Sequence, residues 1–212
     1  MNTMMSVTAQ RGVVYLVDDE SVVRDALVFL LGSRGLVVHA FDGAPALLDF
    51  LATLGRPVRG VFLLDVRMEP MSGLRLHEAL SEAGIRNPVL FLSGHGDIPM
   101  VVEALKKGAF DFLEKPYSDN TLVDRVEQAL AVEASSYAEN ARVAEREARL
   151  ASLSERERDI MVRVAAGKLN KVIADELHIA VRTVEVHRAR VFSKLGVRSA
   201  AELAGLLASG AA

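Results

Sequence analysis

The sequence predicts a two-part protein: a doubly wound α/β sheet of five parallel strands, then a helical linker and an all-α domain of four helices. Three observations predict it. Apolar runs alternate with helix-period stretches five times over residues 12–131, and the runs stop at polar residues. Beyond residue 131 only the helical period continues. The charge divides in the same region: residues 1–149 carry 15 Lys and Arg against 21 Asp and Glu, a net of −6, whereas residues 150–212 carry 10 against 7, a net of +3.

The first strand is Val13–Val17, stopping at Asp18-Asp19-Glu20, and Val22, Val23, Ala26, Leu27, Leu30 and Leu31 then repeat at helical spacing. Leu36–Phe41 and Ala44–Leu54 give the second strand and helix. Gly60–Leu64 is the third strand; it stops at Asp65, and Pro70 and Gly73 break the chain before a helix over Leu74–Ala83. Val89–Leu92 is the fourth strand, ending in Ser93-Gly94, with a helix over Ile98–Lys107 closed by Gly108. Ala109–Leu113 is the fifth strand, ending in Glu114-Lys115-Pro116, and Thr121 to about Val132 is the fifth helix. Buried parallel strands read as unbroken apolar runs, as these do. The order expected for such a flavodoxin-like sheet is 2-1-3-4-5, with right-handed crossovers.

Composition narrows the function classes. The 212 residues are half hydrophobic and include no cysteine, so disulfides and thiolate metal sites are excluded and a reducing compartment is expected. No apolar run approaches the length needed to span a bilayer, and Met1–Gln10 lacks the pattern of a signal peptide. The expectation is a cytoplasmic protein with a frayed N-terminal tail and no membrane partner.

The strand order places strands one and three side by side at the switch point, where ligands bind such sheets. Asp18, Asp19 and Asp65 are thereby expected at one edge, joined by Ser93 and Lys115. Clustered carboxylates raise one another's pKa unless a cation intervenes, and a hard divalent ion such as Mg²⁺ suits them. Carboxylates form aspartyl-phosphates, so Asp65 is the candidate nucleophile, with Ser93 and Lys115 as partners of the phosphoryl oxygens. Read singly, Asp18 and Asp19 are equally explained as helix N-caps, Asp65 and Ser93 as turn residues, and Lys115 as a solvated lysine. Their concurrence at one end of four strands favours the chemical reading.

Residues 132–149 are rich in Ala, Glu and Arg, with no Gly or Pro, and predict an exposed helical spacer. Ser154 with Glu157 forms a capping box before an apolar face of Ile160, Met161, Val164 and Ala165, closed by Gly167. Helices follow over Asn170–Leu177, Val181–Leu195 and Ala200–Leu207. The three-residue connection His178-Ile179-Ala180 is that of a helix-turn-helix, although any small bundle has such turns.

Residues 12–131 resemble the receiver domain of bacterial two-component response regulators. The resemblance rests on Val17-Asp18-Asp19-Glu20, Leu64-Asp65-Val66-Arg67-Met68, Leu92-Ser93-Gly94-His95-Gly96-Asp97 and Phe110-Asp111-Phe112-Leu113-Glu114-Lys115-Pro116. It implies that Asp65 accepts a phosphoryl group from the phosphohistidine of a sensor histidine kinase. It further implies Mg²⁺ (or Mn²⁺) held by Asp19 and Asp65, by Asp18 through water and by the backbone carbonyl of Arg67. Ser93 and Phe112 match switch residues, Lys115 matches the family's lysine, and the Lys115–Pro116 bond is expected to be cis. The implied protein is no enzyme beyond Mg²⁺-dependent self-phosphorylation and slow autodephosphorylation at Asp65. One departure is Glu69, four residues after Asp65, where relatives have Pro; here Pro70 follows instead.

Residues 150–212 form the second expected domain, of which 150–208 are similar to the LuxR-type DNA-binding domain. The motifs are Leu153-Ser154-Glu155-Arg156-Glu157, Ala166-Gly167-Lys168-Leu169-Asn170-Lys171-Val172-Ile173-Ala174, Thr183-Val184-Glu185-Val186-His187-Arg188 and Lys194-Leu195-Gly196-Val197. By that resemblance 181–194 is the recognition helix. Lys171, Thr183, Arg188 and Arg190 hold phosphates, and Glu185 and Val186 face base edges. Ala180 stands where relatives have a capping Ser. Together the two resemblances imply a regulator of the FixJ/NarL group, with promoter DNA and RNA polymerase as partners and a homodimer when phosphorylated. The alternative is a DNA-binding protein whose receiver serves as a phosphorylation-independent dimerisation module. An aspartyl-phosphate phosphatase would need a carboxylate two residues after Asp65, where Arg67 stands.

Overall fold

The computed structural model describes residues 11–54, 57–94 and 98–208. Expectations placed on Met1–Gln10 and on His95-Gly96-Asp97 lie outside them. Strands β1 (Arg11–Val17), β2 (Leu36–Phe41), β3 (Val61–Asp65), β4 (Val89–Ser93) and β5 (Asp111–Glu114) alternate with helices α1 (Ser21–Ser33), α2 (Ala44–Thr53), α3 (Gly73–Glu82), α4 (Ile98–Lys106) and α5 (Asp119–Ala151). The sheet order is β2-β1-β3-β4-β5, and every pairing is parallel, as the alternation predicts.

Successive side chains of a strand face opposite ways, and each face of this sheet has its own core. Tyr15, Val17, Phe62, Leu64 and Phe91 pack with Leu47, Leu51, Leu76, Leu80 and Ala104 of α2, α3 and α4. Val14, Leu16, Val61, Leu63, Leu90, Leu92 and Leu113 pack with Leu27 and Leu31 of α1 and Leu122, Val123 and Val126 of α5. Central strands β3 and β4 are buried at every residue, which is why their sequences run apolar without alternation. Gly60 leads into β3 at φ +113, and a Cβ there would lie 2.3 Å from the carbonyl oxygen of Val13. Only glycine lets the two backbones approach so closely.

The structure departs from the sequence reading in two places. Strand β5 is displaced toward Glu114: Ala109 and Phe110 precede the ladder, and Phe110 N–H reaches the carbonyl of Val89. The fifth helix and the linker form one element, α5, because no Gly or Pro interrupts the chain between Pro116 and Gly167. In the first unit, Met1–Tyr137, α5 is fastened by a polar clamp. Glu133, only 8 % exposed, accepts from Arg59 Nε at 2.6 Å and Nη2 at 3.2 Å. The Arg59 guanidinium lies 3.7 Å from the Tyr137 ring centroid. Burial, then the charge of Glu133, pushes the Tyr15 hydroxyl pKa up. Among the described residues no helix is long and apolar enough to cross a membrane.

The second unit, Ala138–Ala212, adds α6 (Glu155–Ala165), α7 (Asn170–Leu177), α8 (Val181–Leu195) and α9 (Ala200–Ala208). Its core is Leu153, Ile160, Val164, Ile173, Val184, Val191, Leu195 and Leu203. The predicted capping box is present: Ser154 Oγ accepts from Glu157 N–H at 3.2 Å, and Glu157 Oε2 accepts from Ser154 N–H at 2.9 Å. Lys194 Nζ also donates to Glu157 Oε2, at 2.7 Å, which ties α8 to the start of α6.

The Lys194 hydrogen bond, then the Ser154 N–H, holds the Glu157 carboxyl at about 2, against an ordinary 4.5. A depressed carboxyl contributes stability above its unfolded value and loses it as pH falls through its folded value. Glu157→Gln therefore lowers the melting temperature of the helical unit at neutral pH. Thermal melts followed by circular dichroism should show the difference from wild type closing as pH falls from 4.5 toward 2.

Candidate functional site

Three chain segments that end strands meet at one edge of the sheet. Asp18 follows β1, Asp65 ends β3, and Lys115 follows β5. Asp18 is fully buried and Asp65 is 7 % exposed. The Lys115 ammonium donates to Asp65 Oδ1 at 2.6 Å and to Asp18 Oδ2 at 3.2 Å. The other oxygens are also held. Arg67 N–H reaches Asp65 Oδ2 at 2.7 Å, and Glu20 N–H reaches Asp18 Oδ1 at 2.9 Å. Burial, the largest effect, raises the Asp65 pKa, and the Lys115 hydrogen bond and charge only partly offset it. Burial works to lower the Lys115 pKa, but Asp65 and Asp18 outweigh it and the net direction is up. The lysine therefore stays charged, while Asp65 ionises less readily than an ordinary carboxyl.

The expected three-carboxylate cluster is instead a pair bridged by a lysine. Asp19 is exposed, on the rim of a cleft of about 360 Å³ lined also by Arg67, Glu69, Ser72, Met68 and Met100. Among the described residues no three acidic or histidine side chains close around one point. Hard oxygen donors with partial convergence suit Mg²⁺, which keeps several waters and takes one or two carboxylates. The uncompensated burial of Asp65 favours a further cation beside it.

Ser93 is fully buried, with its hydroxyl 3.5 Å from the carbonyl oxygen of Leu113. Phe112 is half-buried against the α2–α3–α4 face. Lys115–Pro116 is cis, as expected, and Glu69–Pro70 is cis as well. Residue 73 escaped the sequence reading except as a helix breaker. A Cβ on Gly73 would lie 2.1 Å from the carbonyl oxygen of Asp65, so glycine lets α3 start directly under the acceptor position. Arg24 was also missed; its Nη1 donates to the backbone carbonyl of Asp18 at 2.7 Å.

In the second unit, α7, the turn and α8 form the predicted helix-turn-helix, with His178 left-handed at φ 51. Lys171, Glu185, Val186 and Arg190 are exposed and Thr183 is half-buried. Arg188 is half-buried: its Nη1 donates to Asn170 Oδ1 at 2.9 Å, and its guanidinium lies 5.2 Å from the Phe192 ring centroid. It therefore fastens α7 to α8. Arg182, which the motifs did not single out, is exposed and pairs with Glu185 at 3.2 Å. Ala180 caps α8 with no side-chain hydrogen bond.

A model of the response regulator receiver domain matches residues 14–127, and a model of the luxR family of bacterial regulatory proteins matches residues 151–207. The transcriptional regulatory protein TdiR of Thauera aromatica is 44 % identical over 92 % of this chain and 85 % of its own. The transcriptional regulatory protein FixJ of Bradyrhizobium diazoefficiens is 42 % identical over 92 % of this chain and 94 % of its own. The solved structure of the response regulator StyR is similar with a TM-score of 0.87 and 40 % identity, covering 93 % of this chain and 98 % of that one.

Two substitutions, with a third as control, test the local geometry. Gly73→Ala forces the α3 start away from Asp65 and costs about 1–3 kcal/mol by urea denaturation. Gly32→Ala, in helix α1 with open space around it, serves as control and is neutral or stabilising. Ala180→Ser supplies the missing cap and raises the stability of the helical unit by about 1 kcal/mol in the same measurement.

Proposed function

The chain belongs to the two-component response regulators that join a receiver domain to a LuxR-family DNA-binding domain, and from that premise we propose that Asp65 is where it is switched. It is a phosphorylation-switched, DNA-binding transcriptional regulator. The observation that carries the Asp65 assignment is the doubly held carboxylate: Lys115 on Oδ1 and Arg67 N–H on Oδ2, at the carboxyl end of a central strand. We read residues 12–131 as the receiver, 132–149 as the linker part of α5, and 150–212 as the DNA-binding domain.

In the proposed reaction a carboxylate oxygen of Asp65 attacks the phosphorus of a phosphohistidine on a sensor kinase. The P–N bond breaks, its electron pair stays on the imidazole, and an acyl phosphate forms. Asp18 is fully buried, whereas Asp65 keeps a small exposed part of its side chain through which a donor can be met. Lys115 pairs with a phosphoryl oxygen as a point charge. Ser93 exchanges its long contact with Leu113 for a hydrogen bond to another oxygen, and Phe112 turns inward as β5 adjusts. Mg²⁺ or Mn²⁺, held by Asp19, Asp65 and the Arg67 carbonyl, with Asp18 through water, would neutralise charge on the phosphoryl oxygens.

The modified receiver dimerises or releases the second unit, which sets two α8 helices on a two-fold DNA site. There Lys171, Thr183 and Arg190 hold phosphates and Glu185 and Val186 meet base edges. Arg188 contributes a phosphate contact from its place between α7 and α8. Promoter DNA and RNA polymerase are the partners of that state.

The test is mass by light scattering together with DNA binding by fluorescence anisotropy, with and without beryllofluoride and Mg²⁺. The phospho-mimic shifts the mass toward dimer and tightens specific binding, and Asp65→Asn abolishes both changes. A protein that responds equally with Asn at position 65 overturns the assignment. No response in either protein favours the receiver as a constitutive dimerisation module.

A further inference from the structure

The turn between β1 and α1 carries two of the proposed metal-site carboxylates, Asp18 and Asp19. Helix α1 opens without a side-chain cap: Glu20 stands at the N-cap position and accepts no side-chain bond. The turn is held by other bonds. Asp18 N–H reaches the carbonyl of Phe41 at 3.3 Å, and Glu20 N–H reaches Asp18 Oδ1 at 2.9 Å. The remaining backbone group of Asp18, its carbonyl, takes the Arg24 guanidinium at 2.7 Å. That carbonyl belongs to the peptide joining Asp18 to Asp19. Arg24 itself is fixed in the first turns of α1, where its N–H bonds the carbonyl of Glu20 at 3.0 Å.

We propose that Arg24 is a positioning residue for the metal site, fixing the Asp18–Asp19 peptide so that both carboxylates keep their orientation toward a divalent cation. Arg24 touches neither the cation nor the reacting atoms in this role. It acts through the backbone, as an outer-shell partner orients a ligand. The inference rests on the reading of Asp19 and Asp65 as metal ligands, and it adds a residue that the recognition motifs do not contain.

Charge and positioning make opposite demands here, which gives the test its sign. Arg24 is a cation at the turn that carries Asp18 and Asp19, in contact with the Asp18 backbone. If only its charge mattered, removing it would tighten the binding of another cation. If the tie to the Asp18 carbonyl matters, removing it weakens binding, as loss of an outer-shell partner does.

Mn²⁺ is the probe, and its affinity is read from the electron paramagnetic resonance signal of the free ion during titration of the full chain. Arg24→Ala is expected to weaken Mn²⁺ binding by about ten-fold or more. Arg24→Lys, which keeps a donor and the charge, recovers most of the affinity. Arg24→Gln, which keeps an amide donor and removes the charge, falls between Ala and Lys. Circular dichroism melts identify the variants that are folded. Should Arg24→Ala fail to fold, Arg24→Leu, which keeps apolar bulk and has no donor, takes its place.

Unchanged or tighter Mn²⁺ binding by a folded Arg24→Ala or Arg24→Leu protein, neither of which keeps a donor, overturns the proposal and leaves the metal site standing. No Mn²⁺ binding by the unaltered protein overturns the metal reading itself, and the role of Arg24 falls with it.

Discussion

The contact of Lys115 with Asp18 and Asp65 is the interaction on which the receiver edge depends. Two buried carboxylates at the ends of adjacent strands repel one another and lose hydration. The ammonium between them, 2.6 Å from one and 3.2 Å from the other, makes the arrangement tolerable. It does not make it comfortable, because burial still raises the Asp65 pKa above the ordinary range. An acid raised in this way is costliest to the fold when ionised. Ligands that add positive charge at the edge are therefore stabilising. A group that is unfavourable in the resting protein and favourable with its ligands suits a switch better than a silent structural ion pair.

The surrounding backbone is built to keep that edge in place. Gly73 lets α3 begin against the Asp65 carbonyl, and Gly60 lets the chain entering β3 pass against Val13. Central strand β3 is buried throughout, so Asp65 is attached to a rigid element. The seam between β4 and β5 is different. Its side-chain contact from Ser93 to the Leu113 carbonyl is 3.5 Å long, a hydrogen bond at the limit of the geometry. Phe112, between Asp111 and Leu113, is half-buried where Leu113 is buried. The backbone bonds across the same seam are short, 2.8 Å from Lys115 N–H to the Ser93 carbonyl, so it is the Ser93 hydroxyl, not the ladder, that is loosely held beside the acceptor.

What the sequence made legible follows from which interactions are local. Strand and helix identities were readable because uninterrupted apolar runs and helical spacing are local signals, and the strand order is one of those common to doubly wound sheets. The capping box at Ser154 and Glu157 was legible for the same reason. Asp18, Asp65, Ser93 and Lys115 could be placed at one edge because a parallel sheet sets all its strand ends on one side. Contacts between residues far apart in the chain could not be read. Arg59 with Glu133 and Tyr137, and Lys194 with Glu157, look like ordinary surface charges until the fold brings them together. Gly73 looked like a helix breaker because nothing in its neighbourhood of sequence announces a carbonyl 2.1 Å away. The position of Asp19, exposed beside two buried acids, depends on how a turn of three acidic residues is tied, which spacing does not encode.

The helical unit separates residues that hold it together from residues left to meet a partner. Arg163 and Lys168 both pair with Glu176, and Lys194 with Glu157. The net charge over residues 150–212 is only +3. Non-specific affinity for DNA scales with the phosphates neutralised, so a unit with so small a net charge gains little from electrostatics alone. Two units acting together gain through effective concentration what one lacks in charge. On the proposed reading, weak binding by a single unit is what makes the switch informative. A strongly basic domain would hold DNA whatever the state of Asp65, whereas on that reading a weakly basic one binds well only beside a second copy.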